Sequence, residues 1–260
     1  MIKFLLQKND IESEDEYIIV KNILDNNNLY YEEITQDELS SYCDKKYIPI
    51  GNIEFVREAI QIMYQPDFIE QPIEIPTYLQ TPEFLKRTYK ICKWNEIPRK
   101  GKWFIKDASK MKYFRVYADT EFIIDDEIFD YQPKFSYDNS ISLPKSDDYI
   151  VSSPYRIDSE YRIYVIDSKI VNSEFYLGTS DVKPDMALIE KAVELINTNE
   201  KWLKSYSLDV MVGELGTAII EIHNFSAIGL YNRKFDKEIL TTYTQGIEYY
   251  LNDNRIKYKE

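Results

Sequence analysis

The sequence predicts an α/β fold, a parallel layer at the N-terminus followed by two α+β lobes, and three observations carry that prediction. An apolar run, IKFLL, is followed by a helical stripe of Tyr17, Val20, Ile23 and Leu24. A second apolar run, LYYEEI, then spans Leu29–Ile34. Strand, helix and strand at this spacing form a βαβ unit with parallel strands. Further along, Tyr161–Ile166 and Lys169–Tyr176 flank Asp167-Ser168, which reads as a β-hairpin. Near the end, SLDVMVG (Ser207–Gly213) and TAIIEIH (Thr217–His223) are joined by Glu214-Leu215-Gly216, a second strand pair.

The intervening elements follow from local signals. After the short apolar run Tyr47–Ile50, Asn52 caps a helix whose buried stripe is Ile53, Val56, Ile60 and Met63. Pro66, Pro72 and Pro76 interrupt regular structure and mark a domain junction, so the chain is expected to divide into residues 1–80 and 81–260. Thr81-Pro82-Glu83 has the cap, proline and carboxylate of a helix start. Trp103–Tyr117 predicts two strands joined by a polar loop. Asp185–Leu203 predicts an amphipathic helix with Ile189, Ala192, Val193 and Ile196 inside.

Composition excludes several functions. An apolar fraction of 44% and an aromatic fraction of 15% argue against disorder. No apolar run reaches the ~18–20 residues that span a bilayer, and the opening segment lacks the pattern of a signal peptide. With one histidine and two cysteines, Cys43 and Cys92, the usual zinc ligand sets and a disulfide framework are both disfavoured, which suits a cytoplasmic protein. A net charge of −13 disfavours nucleic acid as a partner.

The chemistry-bearing residues lie mostly in the second half. Asp209 and Glu221 interrupt apolar strands, where a carboxylate is costly unless it is paired or binds a cation. On adjacent antiparallel strands the two can meet across the ladder and hold a hard divalent ion; the alternative is that one or both face solvent. His223, the single histidine, and Asn224 follow in a ligand-facing turn with Gly229 and Tyr231; a lone histidine is also a common packing residue. Glu160 and Arg162 share one strand face, and the arginine's planar fork suits phosphate or carboxylate. The alternative there is an exposed ion pair worth little. Lys106 ends the apolar run Trp103-Phe104-Ile105 and Lys112 follows in the loop, either as ligands to phosphate or as solvated strand ends.

Taken in order, these segments resemble the ATP-grasp superfamily. The series is WFIK ending at Lys106, a loop with Lys112, YIVSSP at Tyr149–Pro154, EYRIYV from Glu160, KIVNSEFY, then Asp209 and Glu221. IPIGNIEFV (Ile48–Val56) and IEIHNFSAIGLY (Ile220–Tyr231) extend the match to a phage and bacterial clade defined by one arginine and two lysines. The resemblance implies an ATP-grasp fold with a βαβ pre-ATP-grasp domain over 1–80 and the ATP-grasp domain over 81–260, the latter comprising lobes of about 81–150 and 151–260. It implies an ADP-forming carboxylate–amine ligase, acting through an acyl phosphate with ATP and Mg²⁺ on carboxylate and amine substrates such as an amino acid or peptide. The enzyme would work in the cytoplasm, including that of a phage host. Lys106 and Lys112 would contact phosphates, and Glu160 would belong to the nucleotide site. The main chain of Ile150, Val151 and Ser152 would pair with adenine. Arg162 would stabilise the transferred phosphoryl group, and Asp209 and Glu221 would hold Mg²⁺ with His223 or Asn224. Two positions depart from the family pattern: Ser153 stands where a glutamate is common, and Glu221-Ile222-His223 replaces Glu-X-Asn. Those departures keep open a nucleotide-binding module without ligase activity, and a structural protein that tolerates buried acids is a third reading.

Overall fold

A computed structural model describes residues 2–8, 14–43, 45–65, 75–98, 100–108, 115–119, 148–224, 229–231 and 235–252. The N-terminal layer runs β1 (Phe4–Gln7), α1 (Glu14–Asn26), β2 (Tyr31–Ile34), a 3-10 segment (Gln36–Tyr42), β3 (Ile48–Ile50) and α2 (Ile53–Tyr64). The sheet order is β2-β1-β3 with both pairings parallel, as the βαβ spacing predicts. Asn52 caps α2 by accepting from the Phe55 N–H at 2.8 Å.

The second sheet has the order β4-β7-β5-β6, from β4 (Tyr89–Cys92), β5 (Lys102–Asp107), β6 (Arg115–Asp119) and β7 (Tyr149–Ser152), all antiparallel. It is preceded by a single turn, α3 (Pro82–Leu85), which stops where Lys86 turns left-handed. The third sheet has the order β11-β10-β8-β9 and is also antiparallel throughout. Its strands are β8 (Ile157–Ile166), β9 (Lys169–Gly178), β10 (Tyr206–Gly213) and β11 (Gly216–Asn224). The β8–β9 turn places Asp167 and Ser168 both at positive φ (47° and 64°), which matches the twist of a two-residue hairpin. Gly213 is required by close approach: a Cβ there would lie 1.8 Å from the Arg156 carbonyl oxygen in the segment that crosses from β7 to β8.

Strand alternation divides the third sheet. Tyr161, Ile163, Leu208, Val210 and Ile222 point to one face and form a core with α4 (Met186–Asn199) and α3. The opposite face carries Tyr164 and Ile166 at one end, packed on β1, α1 and the C-terminal helix α5 (Glu238–Asn252). Ile247 of α5 also joins the core of α2 and β3, so the cores of the first layer extend beyond residue 80. With Tyr164 and Ile166 covered, the other end of this face, bearing Glu160 and Arg162, is left to form a site. Among the described residues no helix is long and apolar enough to cross a membrane.

Candidate active site

Glu174 on β9, Arg162 on β8, Asp209 on β10 and Glu221 on β11 stand directly opposite one another, in that order, across the third sheet. Opposed residues of antiparallel strands share a face, so the row sets one cation among three acids. Arg162, Asp209 and Glu221 each interrupt an otherwise apolar strand, whereas Glu174 lies on β9, an outer strand, none of whose residues is fully buried.

Arg162 Nε and Nη2 donate to the two oxygens of Asp209, each at 2.8 Å. The pair is nearly closed to water, with side chains 11% and 3% exposed. Burial pulls the guanidinium pKa down, but the hydrogen bonds and charge of Asp209 outweigh it, and the net shift is upward. Arg162 is therefore a permanent cation with a fixed plane. Its Nη1 donates to the Gly229 carbonyl at 3.3 Å. The rings of Tyr231 and Tyr176 stack on each other at 5.0 Å and lie 5.0 and 5.9 Å from Arg162 Cζ. The Tyr176 hydroxyl donates to Glu160 at 2.7 Å. Burial, with the charges of Asp209 and Glu160, pushes its pKa up, so it remains a donor. Tyr164 completes the frame by donating to the Gly229 carbonyl at 3.0 Å and accepting from the Tyr231 N–H at 3.2 Å.

Glu221 is held differently. His223 Nε2 lies 2.8 Å from its Oε1, and Lys106 Nζ lies 3.7 Å from its Oε2. Lys106 belongs to β5 of the second sheet, so this contact crosses between the two sheets. One ligand atom each from Asp209, Glu221 and His223 lie within 4.8 Å of one another. Two carboxylates are suitable donors for Mg²⁺, and each Asp209 oxygen keeps a second lone pair after accepting from Arg162. The imidazole is a softer third donor than the amide of Asn224. The ladder decides between them. β11 continues regularly to Asn224, opposite Tyr206, so His223 shares the face of Glu221 while Asn224 lies on the other face. The donor set present fits a divalent ion through Asp209, Glu221 and His223.

The other expected residues fall as follows. Glu160 lies on the site face, two positions from Arg162 on β8. Ile150, Val151 and Ser152 form an inner strand, paired with β4 on one edge and β5 on the other, so the sheet takes up their main chain. The first main chain beyond the ladder begins at Ser153, whose N–H donates to Thr88 Oγ1 at 2.9 Å. Lys112 lies outside the described residues. Alternation along β9 puts Tyr176 on the face of Glu174, a signal the sequence contained without pointing to it. Tyr231 follows the glycine of the ligand-facing turn. Arg87, at the junction of the second and third sheets, carried no signal beyond a charge next to a helix end.

The architecture and this site define a class: two antiparallel sheets with a cationic and acidic cluster between them. Residues 84–239 match the model of an ATP-grasp domain, the second family of its clade, and the chain belongs to that ATP-grasp family. The fold is similar to that of the D-cycloserine synthetase DcsG, with a TM-score of 0.52, 8% identity, and coverage of 95% of this chain and 99% of that one. It is also similar to N5-carboxyaminoimidazole synthetase from Staphylococcus aureus, with a TM-score of 0.53, 7% identity, and coverage of 95% and 77%. No curated protein matches the chain.

Proposed function

We propose that the chain is an ATP-dependent carboxylate–amine ligase working through an acyl phosphate. The observation that supports this is the convergence of Lys106 from one sheet with Arg162, Asp209 and Glu221 from the other. Residues 1–80 would serve as the pre-ATP-grasp domain and 81–260 as the catalytic one, acting in the cytoplasm, including that of a phage host.

In this reading the nucleotide lies between the two sheets, its base near the main chain that leaves β7 and its sugar end near Glu160. Lys106, aided by Lys112, draws the phosphates into place. The substrate carboxylate attacks the γ-phosphorus and ADP departs; the amine then displaces phosphate from the acyl intermediate. Arg162 stabilises charge on the moving phosphoryl group through Nη1, and because Asp209 fixes its plane, little reorganisation is needed at the moment of reaction. Asp209, Glu221 and His223 would hold Mg²⁺, which when bound neutralises charge on the phosphate oxygens. An amino acid or peptide supplies the carboxylate and the amine.

The test is phosphate release from ATP with panels of carboxylates and amines, comparing wild type with Glu221→Gln. Turnover is expected to fall at least about 100-fold in the variant, with the melting temperature nearly unchanged. Full activity in Glu221→Gln would remove that residue from the site. Nucleotide binding without phosphate release under every substrate pair would favour a binding module instead, which Ser153 and His223 at the two departing positions would then explain.

A further inference from the structure

Arg87 has no role in the mechanism above, yet it occupies the junction between the two sheets. It follows α3 and precedes β4, beside the point where Thr88 and Ser153 exchange hydrogen bonds of 3.0 and 2.9 Å. Its Nη1 donates to the Leu85 carbonyl at 3.0 Å and to the Ile219 carbonyl at 2.9 Å. Ile219 lies on β11, the outer strand of the third sheet, two residues before Glu221. A guanidinium carries five N–H donors. The two carbonyls engage Nη1, while Nε and Nη2 have no hydrogen-bond partner among the described residues, and no carboxylate there pairs with Arg87. Loss of solvent pulls its pKa down to about 10, which still leaves it charged at neutral pH.

Arg87 is half-buried, with no counter-charge beside it among the described residues, and its Nε and Nη2 stay open to solvent. A lone guanidinium anchored by one nitrogen and open at the other two is arranged to receive an anion through a two-point contact. Two residues of strand span about 7 Å, so Ile219, which anchors Arg87, and Glu221, beside Lys106, lie within the length of a polyphosphate. We propose that Arg87 is an anion-binding residue of the nucleotide site, its Nε and Nη2 taking oxygens of a nucleoside polyphosphate on the same wall as Lys106. This rests on the nucleotide reading given above. The competing role is mechanical: Arg87 caps the end of α3 and covers an open carbonyl on the edge of β11, with no ligand involved.

Calorimetric titration of ATP, ADP and adenosine into wild type, Arg87→Met and Arg87→Lys separates the two. ATP and ADP affinity is expected to fall about tenfold or more in Arg87→Met, with adenosine affinity unchanged within about twofold. Arg87→Lys, which keeps the charge but not the fork, is expected to lose a smaller part of the ATP affinity and carries the test if the methionine variant does not fold. Equal losses for ATP and adenosine, or unchanged ATP affinity in both variants, would overturn the proposal. Phosphate release by wild type distinguishes the two levels. Polyphosphate binding that depends on Arg87 without any turnover sinks the ligase and leaves the anion site standing, whereas turnover with ATP affinity independent of Arg87 does the reverse. Wild type that binds no nucleotide overturns both.

Discussion

Two strand acids in this molecule, Glu32 in the N-terminal sheet and Glu221 in the third sheet, are surrounded in opposite ways. Glu32 accepts hydroxyls from Tyr30 at 2.7 Å, Tyr42 at 2.6 Å and Tyr47. Hydrogen bonds from Tyr42, Tyr47 and Tyr30, in that order of weight, lower its pKa to about 2. Those partners are neutral, fixed in the fold and contributed by its own layer. Glu221 instead faces a second acid across the ladder, an imidazole, and a lysine 3.7 Å away on another sheet. The difference teaches that an acid satisfied by neutral donors of its own layer is a structural fixture. One that shares its surroundings with charges from separate elements is placed to exchange partners with a ligand.

The largest expected effect comes from breaking the fixed half of the site. Asp209→Ala strands a buried Arg162 without its counter-charge and is expected to cost about 3–5 kcal/mol of stability. Urea unfolding checks this, and a loss below about 1 kcal/mol would mean that water reaches the arginine. Smaller is the effect of Tyr231→Ala, which removes one ring from the Arg162 face. A cation–π contact of about 1 kcal/mol corresponds to roughly a fivefold fall in turnover, with Tyr231→Phe near wild type. If the two variants behave alike, the hydroxyl and not the ring positions Arg162.

The smallest effect concerns Glu32. Its folded pKa of about 2 lies below the ordinary 4.5, so its stabilising contribution is fully present above the ordinary value and is lost as pH falls through about 2. Glu32→Gln should therefore differ from wild type in stability by a constant amount above about pH 5, with the gap closing toward pH 2 and turnover unaffected. A gap that does not change with pH would show that the tyrosines bind the carboxyl equally well when protonated.

Much of the fold was legible because it depends on local order. The βαβ unit, the Asn52 cap and the Asp167-Ser168 turn are each specified by residues close in sequence. The helix of Glu238–Asn252 went unread, although its apolar residues join three cores, because its significance lies in packing against both the first layer and the third sheet. Asp209, Glu221 and Arg162 stood out as charges in apolar strands. That Arg162 grips Asp209, while Glu221 meets Lys106 and His223, depends on register and on the approach of two sheets.

By itself the sequence determined which residues would be buried in strands and which charges would interrupt them, since alternation and turn chemistry act over a few residues. The tertiary structure alone decided that the ladder runs on to Asn224 and so turns His223 toward the acids. It also decided that the inner position of β7 takes up the main chain of Ile150–Ser152, and that the open edge of β11 meets Arg87. Each of these depends on which strand lies beside which, and sequence separations as large as that between Arg87 and Ile219 leave no periodic trace from which pairing could be read.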